Sequence, residues 1–146
     1  EDVLSESSKS LENAIAYAKK IISQAIALRD QNSGNKNRSI LKTAVDFIDS
    51  HYMEEDMSLN KAANAANVSA NHFSALFSQN MGQTFIEYLT NLRMNKAKEY
   101  LRCTSMRSSE IAGEIGYKDA HYFSYLFKKT QGMTPSDYRK AREDKA

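Results

Sequence analysis

Residues 58–89 read SLNKAANAANVSANHFSALFSQNMGQTFIEYL, and residues 108–139 read SSEIAGEIGYKDAHYFSYLFKKTQGMTPSDYR. Laid over each other at an offset of 50 without a gap, ten of the thirty-two positions are identical: Ser58/Ser108, Ala62/Ala112, Ala70/Ala120, Phe73/Phe123, Ser74/Ser124, Leu76/Leu126, Phe77/Phe127, Gly82/Gly132, Thr84/Thr134 and Tyr88/Tyr138. Unrelated segments would share about two, since common residue types each make up roughly 5–9% of a chain. The chain carries one small unit twice.

Each copy reads as helix, tight turn, helix. Short helices over 58–66 and 107–115 are followed by Asn67-Val68-Ser69 and by Gly116-Tyr117-Lys118-Asp119. Ser69 and Asp119 stand at N-cap positions and open second helices over 70–80 and 120–131. Phe73, Leu76, Phe77 and Phe123, Leu126, Phe127 fall at i, i+3, i+4 and form core faces. Gly82 and Gly132 end these helices as C′ glycines. Thr84 to Glu87 and Thr134 to Asp137 resemble capping boxes, with Pro135 at N1 where its missing N–H costs nothing. This is a helix-turn-helix arrangement, present twice. A long helix near 84–103 joins the copies and turns Phe85, Leu89, Leu92, Ala97 and Leu101 inward. A further helix over 40–53 gathers Ile40, Leu41, Ala44, Val45, Phe47, Ile48 and Tyr52 on one face.

Upstream lies a different pattern. Leu4, Leu11, Ala18 and Ala25 are seven apart, and Ile15 and Ile22 interleave with them, giving an amphipathic helix with an a/d-like seam. A lone helix of this length is marginal in water, so the seam must pack, either on its own domain or on a second copy. Residues 31–39, QNSGNKNRS, lack an apolar anchor and read as a flexible linker. The expected map is therefore an amphipathic helix at 1–30, a linker at 31–39, a first helix-turn-helix subdomain at 40–82, a linker helix at 83–104 and a second subdomain at 105–146. The fold class is all-α.

Composition narrows the function. The chain has 146 residues, enough for one domain or two very small ones. Five Gly and one Pro disfavour a turn-rich β fold. A single cysteine, Cys103, allows no internal disulfide and fits a reducing, cytoplasmic setting; its place at the end of the long helix reads as a small core position. No apolar run reaches the roughly 18–20 residues of a membrane span, and no signal peptide is evident. The chain opens on Glu1 rather than Met, which suggests a piece of a longer protein. Net charge is only +2, but it is uneven: residues 40–82 carry two basic and five acidic side chains, and residues 107–146 carry eight and six. The C-terminal half supplies the attraction for any polyanion. His51, His72 and His121 fall in no ligand-spaced pattern, and neither a Gly-rich phosphate loop nor a Ser-His-Asp order occurs, so the expectation is no metal, no cofactor and no enzyme activity.

Three stretches carry a family resemblance: Ser109 to Tyr117, Tyr122 to Lys129, and Gly132 to Arg139. Together with Leu92 to Ala97 and Tyr100-Leu101, they closely resemble the signature of the AraC/XylS family of bacterial transcription regulators. Leu59 to Tyr88 matches that family's more variable first motif, and the resemblance spans about residues 40–142. It implies sequence-specific binding of double-stranded DNA by the output domain of a regulator, an activator, with each second helix in a major groove. It also implies a sensor or receiver domain elsewhere in the full chain, contact with RNA polymerase, and residues 1–30 as a signalling helix, while the seam itself offers a homodimer contact through residues 4–28. The base-edge candidates it points to are Asn71, Ser74 and Ala75 in the first copy and Ala120, His121, Ser124 and Tyr125 in the second. Phosphate candidates are Ser58, Ser69, Ser108, Lys128 and Lys129; each of these residues equally fits a solvated helix face. Arg93 and Arg139 read as braces for the linker helix and the last helix. The alternative function is a helical protein-interaction module that keeps the scaffold without reading DNA.

Overall fold

The computed structural model describes residues 2–145, with side chains described for 9–145. Leu4 of the expected seam therefore has its side chain outside the described residues. Among the described residues the fold is all-α: α1 (Asp2–His51), α2 (Leu59–Ala65), α3 (Ala70–Met81), α4 (Phe85–Cys103), α5 (Ser108–Glu114), α6 (Ala120–Gln131) and α7 (Pro135–Glu143). The chain divides into two units, residues 1–39 and 40–146.

The first difference from the sequence reading lies in α1. Residues 31–39 are helical rather than a coil, and α1 runs through them without a break. Starting a helix is expensive while extending one is cheap, and this stretch is flanked on both sides by strong helical pattern. It contains no Pro, and its one Gly, Gly34, costs only about 1 kcal/mol within a helix. In unit 1–39 the apolar side chains Leu11, Ile15, Ile21, Ile22, Ile26 and Leu28 are all exposed.

Residues 40–146 hold two helix-turn-helix units, each with its own core, that share α4. The first gathers Ala44, Ile48 and Tyr52 around Phe73, Phe77, Phe85 and Leu89. The second gathers Met94, Ala97 and Leu101 around Ile111, Ile115, Phe123 and Phe127. Along α4 the buried positions are Phe85, Leu89, Arg93, Met94, Ala97 and Leu101. Leu92, expected inside, is only half-buried, and Met94 is fully buried instead. Cys103, expected as a small core position, is exposed, because it lies two residues, about 200° at about 3.6 residues per turn, round α4 from the buried Leu101.

The caps follow the sequence closely. Ser69 accepts the His72 N–H, Asp119 accepts the N–H groups of His121 and Tyr122, and Gly82 and Gly132 end α3 and α6 in the left-handed conformation. Thr84 and Glu87 form a complete capping box. Thr134 accepts the Asp137 N–H, but Asp137 is one methylene shorter than Glu87 and makes no return bond.

The ungapped repeat conceals an insertion. Asn67 and Gly116 both take positive φ, at 57° and 96°, and they are 49 apart, not 50. The turn bonds Val68 N–H to Ala63 O and Tyr117 N–H to Ala112 O repeat at the same 49. From Ser69/Asp119 onward the offset is 50. Four residues separate α2 from α3 and five separate α5 from α6, which leaves Lys118 as the extra one. Two sequence identities, Ser58/Ser108 and Ala62/Ala112, therefore pair non-equivalent sites. Ser58 is the N-cap of α2, whereas Ser108 is the first residue of α5, behind the N-cap Arg107.

Candidate nucleic-acid interface

α3 and α6 each bury one stripe and leave the opposite one free. Phe73, Leu76 and Phe77 hold α3 down, and Phe123 and Phe127 hold α6. On the outward side of α3, Asn71 and Ala75 are exposed and Ser74 is half-buried. On α6, His121 and Tyr125 are exposed, and Ala120 and Ser124 are half-buried. The base-edge candidates of each copy thus share one helix face. His72 is exposed as well, one position round from that face.

The two faces differ chemically. α3 carries no charged side chain, whereas Lys128 and Lys129 sit exposed in the last turn of α6. There they complement the negative end of the helix dipole. Lys129 Nζ lies 5.9 Å from the centre of the Tyr125 ring, so an aromatic and a cation share one surface. Tyr122 is 51% exposed and stands edge-on to Tyr117 at 5.9 Å. It widens the aromatic surface of α6, and its position immediately before the buried Phe123 was the available signal.

The helix starts are less open to phosphate than their N–H groups suggest. Ser69 and Asp119 already accept N–H groups of their own helices, and the Asp119 carboxylate adds negative charge. The Ser58 hydroxyl accepts the Lys61 N–H. Nearby, Lys61 Nζ is paired with Glu54 at 3.2 Å and Asp56 at 2.7 Å. These contacts raise the Lys61 pKa and lower that of Asp56, each chiefly through their mutual hydrogen bond. In the second copy Ser108 is half-buried, and its neighbour Arg107 is exposed at the N-cap position that Ser58 holds in the first copy. Arg107 and the inserted Lys118, also exposed, extend the basic side of the second unit.

Two buttresses fix the scaffold behind these faces. Arg93 Nε donates to Tyr52 O at 2.8 Å, and its Nη2 donates to Glu54 O at 2.9 Å. Arg139 Nε donates to Leu101 O at 3.2 Å, and its Nη2 donates to Met106 O at 2.7 Å. Each arginine collects carbonyls in the last turn of the helix that opens its own helix-turn-helix unit or in the loop after it, where orphan acceptors accumulate. The Tyr88 hydroxyl donates to Asp49 Oδ1 at 2.8 Å, and burial together with that bond pushes its pKa up to about 12. His51, His72 and His121 are not brought together, and no group of three or more potential metal ligands converges among the described residues. No described helix is long and apolar enough to cross a membrane.

The helix-turn-helix domain family matches residues 62–141. The lactose operon transcription activator of Staphylococcus xylosus is 36% identical over 99 residues, covering 68% of this chain and 35% of that protein. The C-terminal domain of AraT, a response regulator from Geobacillus stearothermophilus, superposes with a TM-score of 0.69 at 40% identity, over 70% of this chain and 85% of that one. The DNA-binding domain of AdpA, solved in complex with a target DNA, shares the fold at a TM-score of 0.68 and 21% identity, over 73% of this chain and 95% of that one. The chain spans between 12% and 38% of the length of full-length curated relatives such as the activator.

Proposed function

The chain belongs to the AraC-type helix-turn-helix family of transcription regulators, and from that premise we propose that residues 40–146 bind double-stranded DNA sequence-specifically, as the output domain of a bacterial activator. One observation carries the reading. Two helices, each capped at its start and closed by a glycine, present unpacked faces from residues 40–146 and are joined by one shared helix. The 19 residues of α4 span about 28 Å at about 1.5 Å per residue. One turn of B-DNA advances about 34 Å, so α3 and α6 suit successive major-groove segments on one side of a duplex.

In this reading Asn71, Ser74 and Ala75 meet one motif, and Ala120, His121, Ser124 and Tyr125 meet the other. Asn71 suits adenine, the serines suit either base type, and Ala75 suits only a thymine methyl. Lys128 and Lys129 hold phosphate, and Ser58, Ser69 and Ser108 make weaker backbone contacts. Residues 83–104 space two subdomains at 40–82 and 105–146. Residues 1–30 couple them to a sensor or receiver domain, and RNA polymerase is the downstream partner in the cytoplasm. The exposed seam of Leu11, Ile15, Ala18 and Ile22 pairs with a second copy and raises affinity by effective concentration.

Selection of bound sequences from a random duplex pool tests the reading. Two short motifs about one helical turn apart are expected. Loss of binding should be steep with salt. A pool that yields no enriched motif, with no binding even at low salt, turns the assignment toward a protein-interaction module.

A further inference from the structure

Arg93 does more than Arg139. Both arginines donate to carbonyls at the C-terminal end of their unit's first helix, but Arg139 remains half-buried at the end of the fold while Arg93 is only 6% exposed. What covers Arg93 is the turn of the other unit. Its guanidinium carbon lies 4.9 Å from the centre of the Tyr117 ring, and Tyr117 itself stacks on Phe123 in the second core. Gly116, one residue earlier, comes closer still. A Cβ at that position would lie 2.7 Å from Arg93 Nη2 and 2.8 Å from Tyr52 O, and the residue holds φ +96°. Space and backbone both demand glycine there. The α5–α6 turn is thus pressed against the end of the first unit's opening helix, with the Arg93 side chain between them.

The two hydrophobic cores are separate, so α4 alone would join them through a single rod. A second point of attachment off the rod's axis stops one unit from swinging about it. We propose that Arg93, seated on Gly116 and Tyr117, is the positioning residue that locks the two recognition helices in one register and thereby sets the spacing between the two DNA motifs this chain accepts. The proposal rests on the DNA-binding reading for its consequence, but the joint itself exists without DNA. Spacing is a sensitive readout, because inserting one base pair moves the second motif by about 3.4 Å and turns it by about 34°. A rigid pair of helices tolerates that poorly, while a loosely joined pair can follow it.

Two variants attack the joint from opposite sides. Arg93→Lys keeps the charge, but an ammonium cannot reach both Tyr52 O and Glu54 O in the same fork. Tyr117→Leu removes the ring under the guanidinium and leaves those two bonds intact. Spin labels at Gln79→Cys in α3 and Lys140→Cys in α7, both exposed positions, report the distance between units in a Cys103→Ser background. Without DNA, the parent should give one narrow distance distribution and both variants a broader one, with helicity unchanged by circular dichroism. Equal widths in all three proteins overturn the joint.

On duplexes carrying the two selected motifs with spacers altered by −1, +1 and +2 base pairs, the parent should fall about tenfold for each step off the optimum, as lost preorganisation implies. The variants should flatten that profile while retaining contact with each motif. A broadened distance distribution with an unchanged spacing profile shows that the joint exists but does not select spacing, which overturns the functional half. If the parent binds no duplex at all, the DNA reading fails, and the distance measurement still decides the joint.

Discussion

The first and second helix-turn-helix units are built on one plan and differ in three places. The first closes its turn in four residues with Asn67 in the left-handed region; the second takes five, with Gly116 there and Lys118 added. The first carries Glu54, Glu55 and Asp56 in the loop ahead of α2, and the second has no acidic residue in its loop 104–107, with Arg107 at the N-cap position that Ser58 holds in the first. The outward face of α3 carries no charge, whereas α6 ends in Lys128 and Lys129 beside Tyr125. The aromatic pair at the centre of each core is shared, with Phe73/Phe123 and Phe77/Phe127 buried to 0% in both, while the residues packed around it differ, Ile48 matching Ala97, Tyr52 matching Leu101 and Ala62 matching Ile111. The two copies share the central aromatic pair and the closing glycines and differ in the charge of the faces that touch solvent. On a polyanion the second unit should therefore hold and the first should adjust.

The largest effect tests whether the units fold as one. Truncating Phe77→Ala or Phe127→Ala removes a fully buried ring, and each should cost about 3–5 kcal/mol in chemical denaturation. Because α4 belongs to both cores, a single shared transition is expected from either variant. If Phe127→Ala melted only the second unit, the two would be independent modules, and a comparison of one molecule's halves would become a comparison of two proteins.

Readout comes next. Asn71 and His121 occupy the same position on their helices, as do Ala75 and Tyr125. Replacing His121 and Tyr125 by Ala should cost about 1–3 kcal/mol at the second motif and relax its sequence preference in the selection assay. Asn71→Ala should cost less, since its neighbours Ser74 and Ala75 are short. Equal losses from both helices would contradict the asymmetry. The charge difference can be moved outright. Lys128→Ala with Lys129→Ala should lower the slope of log affinity against log salt by about 1.8, at about 0.9 per phosphate. Ser78→Lys with Gln79→Lys should raise it by a similar amount if α3 lies equally close to phosphate.

How much of this was open to reading from sequence depends on the kind of interaction. The core was legible, because Phe and Leu at i, i+3, i+4 state a buried face without further information. The caps were legible because Ser69, Asp119 and Thr84 act on the next turn of their own chain. The polar run 31–39 misled, since helix continuity is set by neighbours on both sides rather than by the run itself. The inserted Lys118 was hidden by two coincidental identities, Ser58/Ser108 and Ala62/Ala112, that kept an ungapped alignment plausible. Arg93 was expected as a brace for its helix. Its contact with Gly116 and Tyr117 was out of reach, because it depends on where two units meet and leaves no period in the chain.

The smallest predicted effect isolates one bond. Tyr88 and Tyr138 stand at equivalent points, and their rings meet Phe77 and Phe127 edge-on at 5.6 and 5.8 Å. Only Tyr88 reaches a carboxylate, Asp49, and the offset of 49 that relates the opening helices puts Lys98 where the second unit would need one. Tyr88→Phe keeps the ring contact and removes the hydroxyl, so it should cost about 1 kcal/mol, while Tyr138→Phe should cost close to nothing. The pH dependence has a definite sign. Burial and the bond to Asp49 raise the Tyr88 pKa from its ordinary 10.0 to about 12. Its contribution is therefore whole below about pH 10 and is lost as pH climbs through about 12. Lys98→Asp supplies the missing acceptor, and in that background Tyr138→Phe should begin to cost what Tyr88→Phe costs in the parent. If it does not, the difference between the units at this site lies in the fit of α7 against α4 rather than in one residue's chemistry.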